Sequence, residues 1–228
     1  MRAGVTLVEM LAALTLTALV LSIIVGAGVA LMRLARVTAE RAVATDTERT
    51  AVAVLSGEVR RMTDADVTAA APDSVAIRAF RGTALPCGTT AAGILVRYGG
   101  DRLPDPSKDS VLVLTPPAST PVILLDSQPA AGRCAARPGE LVLEWRLAGS
   151  AAPGSVLLLF ESGSYHLSAG ALRYRIGAGG RQPLTPQALS HPGSRFTGVT
   201  HRAIRFDLSA GGFAASHAAG FTPVPHQP

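Results

Sequence analysis

Between Arg2 and Arg33 the only ionisable side chain is Glu9, and from Met10 to Met32 there is none. That run is rich in Leu, Val, Ile and Ala, and it meets the roughly 20 residues a helix needs to cross a bilayer. A secretory signal peptide is the competing reading: Arg2 could supply its basic start, and Ala27-Gly28 or Val29-Ala30 its cleavage site. Such a peptide has an apolar stretch of only about 7–15 residues, and an acid at its head opposes targeting, so the run reads as a membrane span. A carboxylate near the end of a membrane helix costs on the order of 3 kcal/mol and calls for a partner. The plainer outcome is that Glu9, being close to the helix end, reaches back to headgroup water.

The residues around that acid form a pattern. Met1-Arg2-Ala3-Gly4 is a short basic segment ending in glycine, and Val5-Thr6-Leu7-Val8-Glu9 follows it. This resembles the class III leader and first helix of type IV pilins and type II secretion pseudopilins. There, a Gly-terminated leader precedes an apolar residue, Thr-Leu, an apolar residue and Glu. Val5 stands where that family usually has Phe. The resemblance covers only the first part of the chain. It implies a cut between Gly4 and Val5 by a membrane-embedded prepilin peptidase, N-methylation of the new Val5 amine, and assembly with other pilin or pseudopilin subunits.

The chemistry of such a cut suits Glu9. It would leave a positive amine on Val5 about one helical turn away, and methylation keeps that charge. Opposite charges attract strongly in a low-dielectric setting, and either one unpaired is costly. Glu9 of an incoming subunit, paired with the Val5 amine of a neighbour, would set axial register. The resemblance also implies an N-terminus inside the cytoplasmic membrane and a head outside it. Charge alone points the other way, because Arg33, Arg36 and Arg41 after the span outnumber Arg2 before it. The two cysteines, Cys87 and Cys134, favour the head outside. An even pair in an exported chain reads as a disulfide, worth about 4 kcal/mol for a loop of about 48 residues, with two buried free thiols as the alternative.

A net charge of +5 raises nucleic acid as a partner. The signal is diffuse. Aromatics are only 4%, so no stacking platform for single strands is visible, and the Arg33-Arg36-Arg41 cluster flanks a membrane where anionic lipid accounts for it. No catalytic, cofactor or metal constellation stands out either. His166, His191, His201, His217 and His226 are scattered, and Ser162 lacks the flanking glycine of a nucleophile elbow. Asp64 and Asp66 fall short of the six to eight oxygens of a calcium site and read as solvated loop acids. Gly177-Ala178-Gly179-Gly180-Arg181 leads to Pro183, not to a phosphate-binding helix. The expected role is structural, with no enzyme activity.

Past the span, Val52, Leu55, Val59 and Met62 recur at three- and four-residue spacing, so an amphipathic helix is expected to run on to about Met62. From Val5 it would be roughly 87 Å long. From Asp64 the texture changes to short apolar runs between Gly, Pro, Asp and Ser. Strands are expected at 74–81, 93–98, 110–115, 121–126, 141–147, 155–161, 165–168, 171–176 and 201–209. Ala169-Gly170 should turn a hairpin, and Trp145 should anchor a core. The hairpin, Pro183-Leu184 and the strand around Phe206 are similar to the C-terminal layout of minor pilins and J-type minor pseudopilins. Gly211-Gly212 and the Ala, Gly and Pro beyond it suggest disorder after about Phe213.

The expected fold class is therefore α+β, pilin-like: a long N-terminal transmembrane and amphipathic helix packed on a mostly antiparallel β head. The divisions are a leader at 1–4, membrane helix at 5–32, amphipathic continuation at 33–63, head at 64–210 and flexible tail at 211–228. The expected function is a minor pilin or pseudopilin subunit that initiates or caps a filament and meets its neighbours or secreted cargo. The alternative is a singly anchored extracytoplasmic binding protein or enzyme with an unprocessed N-terminus.

Overall fold

The computed structural model of the chain describes residues 6–115, 118–152, 154–190 and 193–221. The leader 1–4, Val5, His191 and the end from 222 to 228, with His226, lie outside them. The first element is one helix, α1 (Leu7–Val59). Its buried residues are Ala44, Thr47, Ala51, Leu55 and Val59, one stripe at three- and four-residue spacing. Met62, just past the helix end, is buried too. The stripe expected from Val52, Leu55, Val59 and Met62 thus lies on the correct face. The structure extends it backwards through Ala44, Thr47 and Ala51, whose small side chains let strands come close. Before Ala44 the described part of the helix stands clear of the head.

Among the described residues, twelve strands follow a short 3-10 turn at Asp64–Asp66. They are β1 (Val67–Ala71), β2 (Ser74–Thr89), β3 (Ile94–Gly100), β4 (Asp109–Thr115), β5 (Ala118–Pro129), β6 (Leu141–Leu147), β7 (Val156–Ser168), β8 (Ala171–Ile176), β9 (Gln182–Pro183), β10 (Arg195–Val199), β11 (Ala203–Ala210) and β12 (Phe213–Gly220). The described pairings are all antiparallel. The α+β class, with a long apolar N-terminal helix and a mostly antiparallel head, is as the sequence suggests.

Two long strands organise the head. Along one side β2 pairs with β7, and along the other it pairs first with β1 and then with β3. β7 does the same, with β2 on one side and β4 then β8 on the other. The order β2-β3-β6-β5-β4-β7 therefore returns to β2 and closes a six-stranded barrel. Ala84, Val96, Val111, Leu124, Trp145 and Leu159 fill its interior, one from each strand. Trp145 is fully buried there, against Tyr98. The other halves of β2 and β7, with β1, β8 and β9, form an open sheet. It shares a second core with α1 and the small β10-β11-β12 sheet, built around Leu55, Ile77, Leu172, Ile204 and Phe206. Register shifts in β2 at Phe80/Gly82 and Pro86/Gly88 bend it from one core into the other, and Pro86 sits at such a bulge.

Several expectations need correction. The strands expected at 155–161 and 165–168 are one strand, β7, running through Ser162-Gly163-Ser164. Gly163 reads as a break but serves close packing: a Cβ there would lie 2.1 Å from the Tyr174 hydroxyl oxygen. The disorder expected after Phe213 is also overturned over 213–220, where β12 pairs in full register with β11. Its Ala-rich sequence has low strand propensity. Burial of Ala219 and Phe221 beside Ile204 and Phe206 supplies the missing stability, and Gly211 and Gly212, both at positive φ, make the two-residue turn. β1 and β10 were not foreseen, and β11 begins at Ala203 instead of His201. The expected Ala169-Gly170 turn is present, with Ala169 at φ 50° and Gly170 at φ 72°.

Cys87 and Cys134 are bonded, with Cα atoms 6.3 Å apart. The bridge clips the β5–β6 connection to the far end of β2, at the barrel. Replacing both cysteines with serine is expected to lower unfolding free energy by about 4 kcal/mol, from the loop entropy returned to the unfolded chain. Equilibrium denaturation of both proteins checks this, since equal midpoints would contradict it.

Candidate functional site

The helix start is built from its own side chains. Thr6 is the N-cap, and its hydroxyl accepts the Glu9 amide hydrogen bond at 3.3 Å. Glu9 reaches back, and its Oε2 accepts from the Thr6 N–H and Oγ1–H, both at 3.0 Å. This reciprocal capping box satisfies donors that a helix start otherwise leaves open, and it puts a carboxylate at the positive end of the helix dipole. The sequence reading expected Glu9 to seek a neighbour's amine and did not see that Thr6 supplies partners first. The Thr-x-x-Glu spacing carried that signal. Oε1 accepts no bond from the described residues. The other two residues of the motif, Gly4 and Val5, lie outside those described.

The helix between this cap and the head is bare. Leu11, Leu14, Leu19, Ile23, Ile24 and Leu31 are each more than half exposed. Thr15, Thr17 and Ser22 return their hydroxyls to carbonyls one turn back, at 2.9, 2.7 and 2.8 Å, so they leave little polarity on the surface. Such a helix is long and apolar enough to cross a membrane. Just beyond it, Arg36 pairs with Glu40 at 2.9 Å, both solvent-exposed.

Where α1 meets the barrel, a chain of charges crosses from helix to strands. Arg81, at the bulge of β2, donates to both oxygens of Glu58 on α1 at 3.0 and 3.2 Å and to Glu161 on β7 at 3.0 Å. Arg102 continues it, donating to Glu161 at 2.9 Å and bidentately to Asp109. Tyr165 donates to Glu58 at 3.1 Å and Tyr174 to Glu161 at 2.8 Å. Asp109 and Glu161 are almost wholly buried. Burial pushes the Glu161 carboxyl up, but the Tyr174 hydrogen bond, the Arg81 charge and Arg102 outweigh it and hold it below the usual range. Burial also works against the Arg81 charge, and Glu58 and Glu161 overcome it. Burial raises the Tyr98 hydroxyl, beside Arg102, to about 12. This network joins residues far apart in sequence, and the one hint of it was Glu161 closing the apolar run Val156-Leu157-Leu158-Leu159-Phe160.

The remaining candidates resolve into structural pairs. Asp66 is buried, accepting from the Thr63 N–H and hydroxyl at 2.9 Å each, and so is no solvated loop acid. Asp64 meets His201 at 2.6 Å. His217 stacks on Phe206 and reaches Glu48 of α1 at 3.0 Å, holding β12 to the helix. His166 contacts the Ser164 hydroxyl at 2.9 Å on the same strand. Among the described residues no group of three or more His, Cys, Asp or Glu is placed to hold a metal ion.

The fold and this helix define a class: a β-rich head with a closed barrel, carried on one long helix whose N-terminal half is apolar and exposed. No family model, curated protein or solved structure matches the chain.

Proposed function

We propose that this chain is a structural minor subunit of a pilin-type filament, of the type II secretion or type IV pilus kind. In this reading prepilin peptidase cuts between Gly4 and Val5, the Val5 amine is methylated, and α1 holds the subunit in the cytoplasmic membrane with its head outside. The filament then forms by packing of the apolar helices, with other pilin or pseudopilin subunits as partners and secreted cargo meeting the head. The observation that carries the reading is Glu9: a carboxylate in the first turn of a bare, membrane-length helix, in the motif Gly4-Val5-Thr6-Leu7-Val8-Glu9 that follows a basic segment.

The capping box refines the mechanism. Thr6 satisfies Oε2 while the subunit is alone in the membrane, and Oε1 accepts the Val5 amine of a neighbour during assembly. Capping equally suits a single anchor that never assembles, so the second reading is an unprocessed, membrane-anchored binding protein or enzyme. Intact mass of the protein purified from cells with an active prepilin peptidase separates them. Loss of Met1 to Gly4 supports the filament subunit, whereas an uncut chain or a cut near Ala30 supports the anchor. In the same cells Glu9→Ala is expected to reduce filament incorporation at least tenfold while membrane insertion persists. Unchanged incorporation would remove the register mechanism.

A further inference from the structure

Successive residues of β8 alternate between the two faces of the open sheet. Leu172 and Tyr174 turn toward the core shared with α1, so Arg173 and Arg175 lie on the opposite face. Register sets them directly across from His166 and Ser164 of β7. Arg181 immediately precedes the Gln182↔Tyr174 pair of β9 and brings a third guanidinium to this region. The charges of Arg181 and Arg175 both act on His166. Arg181 is exposed and Arg173 and Arg175 are half-buried, so solvent reaches the cluster.

These cations have no counterion. The guanidiniums of Arg175 and Arg181 make no hydrogen bond or ion pair with a described residue, and Arg173 donates only to the Ser168 carbonyl, at 3.2 Å. Elsewhere on the head Arg78, Arg81, Arg97, Arg102 and Arg195 each meet a carboxylate. The acid that acts on His166 is Asp73, just before the Ser74↔His166 pair, and it is exposed and forms no ion pair. The residues outside the described ones include no Asp or Glu, so none of their side chains supplies the missing charge. Two nitrogens in the cluster are also unmet: His166 Nδ1 and Arg175 Nε are buried without a partner. His166 is only 6% exposed, and its Nε2 contacts the Ser164 hydroxyl at 2.9 Å. Burial, with Arg181 and Arg175 against Asp73, holds the ring below its ordinary value, so it adds no further charge at neutral pH. A buried polar group without a partner calls for an explanation, and a ligand is one.

We propose that the face formed by Arg173, Arg175, Arg181 and the Ser164–His166 pair binds a phosphate group carrying two negative charges, as inorganic phosphate or as a phosphomonoester on a larger molecule. Three arginines against Asp73 leave two positive charges, and a phosphomonoester brings about two negative ones at neutral pH. A carboxylate or a phosphodiester brings one and leaves the site half neutralised. Guanidinium forks donate paired N–H bonds to phosphate oxygens, and Arg173 and Arg175 rise from one strand while Arg181 closes over them from the loop. Arg175, which no partner holds, turns its Nε–H to the anion. Ser164 is small and leaves room between the arginines. The site belongs to the head and does not rest on the filament reading.

The test uses the full chain in uncharged detergent micelles at constant ionic strength. Calorimetric titration with inorganic phosphate and with glycerol 3-phosphate is expected to show saturable binding of at least one, with a Kd of about 1 mM or tighter. Binding of phosphate alone supports a site for the free ion, and binding of both supports a group carried on a larger molecule. Dimethyl phosphate, with one charge, should bind at least tenfold more weakly than the better of the two. Arg181→Gln changes an exposed side chain and should weaken binding at least fivefold with an unaltered melting curve, and Arg175→Gln should do the same. Arg146→Gln, at another exposed arginine without an ion pair on β6, should bind within twofold of the parent. Bound anion offsets the arginines around His166, so its ring resonances should titrate at higher pH than in the free protein. Absent saturable binding, equal affinity for dimethyl phosphate, equal weakening by Arg146→Gln or an unmoved His166 titration overturns the proposal. None of these outcomes bears on cleavage after Gly4.

Discussion

Replacing Arg81 with methionine is expected to lower the unfolding free energy of the full chain by about 3–5 kcal/mol, the usual consequence of removing one partner from a buried ion pair. The guanidinium lies between Glu58 and Glu161, and all three side chains are mostly buried. Without it, two carboxylates face each other with only tyrosine hydroxyls and Arg102 for support. The pH dependence carries the signature. In the parent, Glu161 is held below its ordinary value of 4.5, so its contribution to stability is complete above that pH and fades as acid protonates the folded form. In Arg81→Met the same carboxyl keeps Arg102 but loses the Arg81 charge, so its pKa rises and protonation relieves the variant. The difference between the two proteins should therefore be largest near neutral pH and shrink below about pH 4.5. Urea denaturation at a series of pH values tests this. A difference that stays constant across the series would show that Arg81 contributes by packing alone.

Phe206→Ala is expected to cost about 3–5 kcal/mol, and the damage should stay in one half of the molecule. Phe206 is fully buried on β11, edge-on to Phe196 at 6.3 Å and stacked on His217 at 5.6 Å. Truncating it opens a cavity beneath α1 and unseats the ring that orients His217 toward Glu48. The barrel has a separate core, and Trp145 lies within it. Amide exchange in β11 and β12 should accelerate, whereas Trp145 emission should keep its buried wavelength until global unfolding. If both probes shift together at low denaturant, the two cores form one cooperative unit.

How much of this was legible in the sequence follows from the range of each interaction. Local signals read well. The apolar run after Glu9, the stripe through Leu55 and Val59, the limits of β6 and β8 and the Ala169-Gly170 turn all depend on neighbours within a few residues. Medium-range readings were less secure. Ser162-Gly163-Ser164 looked like a gap because glycine in a strand usually marks one, and only the ring of Tyr174, on the next strand, shows why glycine is needed there. β12 looked disordered because Ala, Gly and Ser carry little strand preference. Its order comes from Ile204 and Phe206 across the hairpin and from the helix above them.

The sequence alone determined that the chain has an apolar helix of membrane length with one acid at its start, and a strand-rich remainder with a cysteine pair. Composition and periodicity suffice for that, because hydrophobic burial and hydrogen bonding repeat every few residues along a helix or strand. Tertiary structure alone decided that β2 and β7 would each serve two sheets and close a barrel. It also placed Glu58, Arg81, Glu161, Arg102 and Asp109 in one line of charge, and paired β12 with β11 along its full length. These outcomes depend on strand pairing between distant segments, and their energy comes from cross-strand contacts that have no counterpart in residue order.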